Sequence, residues 1–120
     1  MPEFLRATLD ELSRLARDPA KRLAVWTRDE PIDWRPTEVI DPNTGVPFTD
    51  ASAWEFIADQ LIAESAQHDV NTVELSKPAG KAGYTMSIPT NWGMIYFKVR
   101  MGIGKIIGRS FHYSKHHPHK

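Results

Sequence analysis

Met94-Ile95-Tyr96-Phe97-Lys98-Val99-Arg100, followed across Gly102-Ile103-Gly104 by Ile106-Ile107-Gly108-Arg109-Ser110-Phe111-His112-Tyr113, decides the fold. Apolar and polar residues alternate along the first run, so Ile95, Phe97 and Val99 point to one side of a strand and Tyr96, Lys98 and Arg100 to the other. One face is core and the other is cationic. In the second run Ile107 and Phe111 suit the core, which puts Ser110 and His112 beside Lys98. Strict alternation then buries Arg109. Two readings resolve that conflict: a β-bulge around Gly108 that re-aims the next side chain, or an Arg109 at the sheet edge that reaches around.

Working outward, Tyr84, Met86 and Ile88 read as core-facing in the preceding strand, with Thr85 and Ser87 on the polar side. Breaks at Lys77-Pro78-Ala79-Gly80 and Pro89-Thr90-Asn91-Trp92-Gly93 divide residues 70–113 into four strands, near 71–76, 82–88, 94–101 and 105–113. Their short connections allow hairpins and no parallel crossover. Upstream, Ser52 and Glu55 form a capping-box pattern for a helix over 51–66, with Trp54, Ile57, Ala58, Leu61 and Ile62 as its apolar stripe. Leu5, Leu9, Leu12 and Ala16 mark an amphipathic helix ending near Asp18-Pro19. Asp18 then caps a short helix carrying Leu23, Ala24 and Trp26 to about residue 28. Pro31, Pro36, Pro42 and Pro47 make 29–50 a long loop, pinned by Trp34 and Phe48. The expectation is a single α+β domain: N-terminal helices on one face of a four-stranded antiparallel sheet, then a flexible tail over 114–120.

Composition narrows the function. The chain has 120 residues and no cysteine, which excludes disulfides, thiolate metal sites and cysteine nucleophiles. The N-terminal helix is charged throughout and lacks the apolar run of a signal peptide or membrane span, so a cytoplasmic protein without a membrane partner is expected. Net charge is zero, yet all 15 acids lie at or before Glu74 with seven Lys or Arg, while residues 77–120 hold eight Lys or Arg and no acid. A basic surface without interspersed carboxylates keeps its potential for a polyanion such as RNA. The competing reading is that the basic sheet pairs with the acidic helices, within the chain or in a homo-oligomer.

Tyr96, Lys98, Arg100, Ser110 and His112, with Arg109 and Tyr113, converge on the polar face. Arg and Lys bind phosphate and stabilise charge on a phosphorane, and histidine, with an ordinary pKa of about 6.5, exchanges protons near neutrality. These groups suffice for RNA cleavage by a ribose 2′-hydroxyl, with no cofactor and no metal. Lys77, Lys81, Arg100, Lys105, Ser110 and Tyr113 are expected to guide the strand. Trp26, Trp34 and Trp54 read as packing residues, whereas Trp92 sits in a turn with access to a ligand. His116, His117 and His119 form a tract read as incidental.

The segment Met94-Ile95-Tyr96-Phe97-Lys98-Val99 with Ile106-Ile107-Gly108-Arg109-Ser110-Phe111-His112 resembles the end of the motility quorum-sensing regulator toxins and, more distantly, the RelE-like ribonuclease toxins. The resemblance covers about the last 35 residues. It implies helices against a small antiparallel sheet, metal-independent mRNA cleavage as the toxin of a toxin–antitoxin pair, and an acidic antitoxin covering the same face. By position Tyr96 and Lys98 match the family's penultimate-strand Tyr and Lys, and His112 stands where a terminal-strand Lys is usual. On this resemblance His112 is the general acid or base, Lys98 and Arg109 stabilise the phosphorane, and Tyr96 positions or protonates. The first 50 residues exceed what such compact toxins need, leaving room for a gating or partner-binding element. A non-catalytic protein- or RNA-binding module is the alternative.

Overall fold

In the computed structural model, which describes residues 2–76 and 79–114, the chain is α+β, with three α-helices and a mostly antiparallel six-stranded sheet. Helix α1 (Pro2–Ala16) and helix α2 (Asp50–Ile62) pack together on one face, followed by the single turn α3 (Ala66–Asp69). Leu9, Leu12 and Leu15 of α1 and Trp54, Ile57 and Leu61 of α2 are buried, as helical spacing dictates. Ser13 donates to the Ala58 carbonyl at 2.8 Å inside this contact, and Arg6 donates to the Leu61 carbonyl at 2.6 Å, which supplies the positive charge that the C-terminal turn of α2 lacks. Among the described residues no helix is long and apolar enough to cross a membrane.

The sheet is built from β1 (Arg22–Leu23), β2 (Asp33–Trp34), β3 (Asn71–Glu74), β4 (Ala82–Thr90), β5 (Gly93–Met101) and β6 (Ile106–Tyr113). Strands β3 to β6 form the expected antiparallel meander. The four-strand expectation falls short at the β6 edge, where β1 and β2 both pair in parallel. Residues 22–23, expected in a helix, are therefore strand: β6 has an open row of backbone groups, and the chain leaving α1 supplies partners for it. Only Pro19–Lys21 is helical there, a 3-10 turn that Asp18 caps by accepting from Ala20 at 2.9 Å.

Register settles the faces. Ile95, Phe97 and Val99 are buried against the helices, and Met86 pairs with Phe97, which pairs in turn with Phe111. Val99 pairs with Gly108 and Lys98 with Ser110, so Arg109 is the extra residue of a bulge. Of the two readings the bulge holds. Its effect on parity also reverses one assignment: Ile106 is buried in the core, whereas Ile107 pairs with Arg100 on the opposite face.

Three further expectations change. Helix α2 is capped one turn earlier, by Thr49 with Ser52 reciprocating at the third position, and ends at Ile62, which is exposed. Residues 35–50 are folded tightly, with a 3-10 turn at Pro36–Glu38, an Ile40–Pro47 bridge and buried Val39 and Phe48. Trp34 and Trp54 pack together at 4.9 Å, but Trp26 is exposed. The Gly102-Ile103-Gly104 turn forms as read, with Gly104 at φ 66° and Ile103 at its exposed tip. Lys77, His116, His117 and His119 lie outside the described residues.

Gly108 lies flat under the Trp34 indole, where an added Cβ would stand 2.6 Å from a ring carbon. Trp34 has little freedom to yield, because it packs at a tilt against Trp54 and donates from Nε1 to Asp50 at 2.8 Å. Gly108→Ala is therefore expected to cost about 1–3 kcal/mol by overpacking, read as a lower denaturation midpoint. An unchanged midpoint would show that β2 is free to lift from the sheet.

Candidate functional site

The face turned away from the helices holds most of the candidate residues. Strand register lines up Asp33, Ser110, Lys98, Thr85 and Asn71 as one row across five strands, and His112, Tyr96 and Ser87 as the next. His112 and Tyr96 are direct cross-strand partners with ring centroids 5.4 Å apart. Lys98 is diagonal to His112, a separation of about 7–8 Å between neighbouring positions that long side chains span. Thus Tyr96, Lys98, Ser110 and His112 do come together.

His112 is held in a defined orientation. Its Nδ1 lies 2.8 Å from the Tyr113 carbonyl. A carbonyl only accepts, so this contact is a hydrogen bond with the proton on Nδ1, which leaves Nε2 for the other side of the ring. Nε2 faces the Asp33 carboxylate at 3.6 Å, and the other Asp33 oxygen accepts from Arg35. The order Arg35, Asp33, His112 gives a carboxylate fixed on one side and directed at an imidazole on the other.

Burial tunes the neighbours. Lys98 has its pKa lowered, first because its surroundings desolvate the ammonium and then because Arg109 adds a like charge. Tyr96 is pushed up by burial alone, which keeps its hydroxyl protonated. Lys98 is therefore the better acid of the two relative to its ordinary value.

Two expected cations are engaged elsewhere on this face. Arg100 donates from Nε and Nη2 to the two oxygens of Glu30 at 2.7 and 2.8 Å, and Arg109 Nη1 stands 3.4 Å from the same carboxylate. Glu30 has its pKa lowered chiefly by the hydrogen bonds from Arg100, and Arg100 is raised in return. The polar face is thus not free of carboxylates, contrary to the expectation from residues 77–120: Glu30 and Asp33 arrive from the 24–34 segment, which the sequence placed partly in a helix and partly in a loop.

Tyr113 lies on the helix side, paired with Ile95, and its hydroxyl accepts from the Ile40 amide at 2.9 Å. Its position serves the loop contact and faces away from the cationic row. Lys81 and Lys105 line a groove of about 620 Å³ at the sheet end, together with Tyr84, Arg100, Met101 and Ile107. Trp92 is exposed at the β4–β5 turn, as read. Among the described residues no group of three or more His, Asp or Glu side chains is placed to hold a metal ion.

Asp33 and Glu30 are the site residues that sequence reasoning missed. The Ile32-Asp33-Trp34 alternation was the available signal, since a half-buried Trp34 packed against the core turns Asp33 to the other face. No family model, curated protein or solved structure matches the chain.

Proposed function

We propose that the polar sheet face is a metal-independent endoribonuclease site and that the protein acts as a RelE-like toxin on mRNA. The observation that carries this reading is the His112 arrangement: one nitrogen fixed by a carbonyl, the other free to exchange a proton beside Asp33, with Lys98 and Tyr96 alongside. In this mechanism His112 Nε2 takes the proton of a ribose 2′-hydroxyl, and the oxygen forms a bond to the adjacent phosphorus. Asp33 stabilises the imidazolium that results. Lys98 lies next to the phosphorane, and its lowered pKa suits it to give a proton to the departing 5′-oxygen as the P–O bond breaks. Tyr96 offers a protonated hydroxyl and a ring on which a base can stack. The products are a 2′,3′-cyclic phosphate and a 5′-hydroxyl end.

An acidic antitoxin segment would cover the same face. The second reading, a non-catalytic binding module, draws on the Glu30 contact, which leaves Lys98 as the central cation while Arg100 and Arg109 are engaged. Induced expression in a bacterial host separates the two. Growth arrest with loss of mRNA and accumulation of 5′-hydroxyl fragments is expected for the toxin. Soluble protein that leaves growth and mRNA intact would overturn it in favour of the binding module.

A further inference from the structure

The segment between β1 and β2 leaves and rejoins the β6 edge as a strap that brings Glu30 onto the polar face. Its turn is closed on itself, with Glu30 N donating to Thr27 Oγ1 at 2.9 Å and Thr27 N to the Glu30 carbonyl at 3.3 Å. Residues 25–29 are exposed, Val25 and Trp26 among them, whereas the Glu30 side chain is 18% exposed and sits between Arg100 and Arg109. The two guanidinium groups come from different strands, Arg100 from β5 and Arg109 from the bulge of β6. Without the bulge, Arg109 would point into the core and the pair would not exist.

We propose that Arg100 and Arg109 form a binding site for a phosphate group, and that the Glu30 carboxylate holds its place until such a ligand displaces the strap. Three observations support this. The Arg100 fork binds two oxygens of one anion in the side-on geometry that suits phosphate as well as carboxylate. Lys98 still feels the charge of Arg109 with Glu30 in place, so an incoming anion gains from three cations. Arg100 also donates to the carbonyl of Met101, which lines the groove shared with Lys81, Lys105, Tyr84 and Ile107; no acid is among its described lining residues. A phosphate on the arginines would place the rest of a nucleotide chain in a groove with cationic and apolar walls.

This inference deepens the RNA reading by naming the phosphate contact and its internal competitor. Its test uses oligodeoxythymidylate, which has no 2′-hydroxyl to attack, so the result is independent of cleavage. Dissociation constants are measured for the wild type, Glu30→Gln and Glu38→Gln; the last removes the same charge at a side chain 67% exposed. Glu30→Gln is expected to bind about tenfold tighter, equivalent to about 1.4 kcal/mol, and Glu38→Gln to change far less. The double variant Glu30→Gln, Arg100→Gln, which keeps a neutral hydrogen-bonding pair, should lose the gain. Equal affinities for Glu30→Gln and Glu38→Gln, or a double variant as tight as Glu30→Gln, would overturn the proposal. Uridine monophosphate then identifies the source of the phosphate. A matching gain for it assigns the site to a terminal phosphate, and a gain for the oligomer alone assigns it to an internal diester.

Discussion

His112→Ala is expected to lower RNA cleavage by on the order of 10²–10⁴-fold, the range of a general acid–base contribution, with binding of uncleavable RNA retained. The expected separation follows from the proposed roles: His112 stands beside Asp33, whereas the proposed phosphate contacts are Lys98 and the arginines. Lys98→Ala also loses rate, but for the opposite proton transfer. A substrate whose 5′-bridging oxygen is replaced by sulfur leaves without protonation and distinguishes the roles. It should restore the Lys98 variant and not the His112 variant. Because the Lys98 pKa is lowered, the wild-type rate should fall on the alkaline side at a pH below the ordinary lysine value of about 10.4. Sulfur rescue of His112→Ala, or of neither variant, would refute this division of labour.

The sequence pattern around this site was legible to an uneven degree, and the reasons are physical. Alternation in 94–100 is strict because each side chain faces either the helices or water, so Tyr96, Lys98 and Arg100 could be placed without coordinates. Arg109 advertised the bulge by falling on the wrong parity. The position of the extra residue was not readable, and for that reason Ile106 and Ile107 exchanged faces. Charge misled more seriously. The absence of acids after Glu74 is a fact about sequence distance, whereas Glu30 reaches Arg100 across 70 positions. Pairing of the halves, held open as the competing reading, is seen at the strap, where Glu30 meets Arg100 and Arg109. Arg6, Arg14 and Arg17 instead pair with acids of α1 and α2: Asp10, Glu11, Glu55 and Asp59. Parallel strands of two residues carry too short a pattern to be assigned as strands, and at β2 the Ile32-Asp33-Trp34 alternation is the whole of the signal. Beyond it, only the unpaired edge of β6, known once the meander is drawn, calls for them.

Phe111→Ala is expected to cost about 3–5 kcal/mol, the usual range for removing a buried aromatic ring. Phe111 is fully buried, with Phe48 at 5.0 Å, Trp34 at 5.7 Å and Phe56 at 6.3 Å between ring centroids. Those rings come from the 35–50 segment, β2 and α2, so one side chain of β6 touches all three parts, which also meet one another at Trp34–Trp54 and Phe48–Phe56. A domain of this size is stable by roughly 5–15 kcal/mol, so the substitution removes a large share. Melting should shift by more than about 10 °C. Trp26→Ala, at an exposed ring, should stay within about 0.5 kcal/mol of wild type. The consequence reaches the site because Ser110 and His112 flank Phe111 in the strand, and Asp33 is placed by pairing with Ser110 while Trp34 packs on Phe111. If Phe111→Ala melted with Trp26→Ala, the aromatic cluster would not be what fixes β2, and the Asp33–His112 approach would need another support.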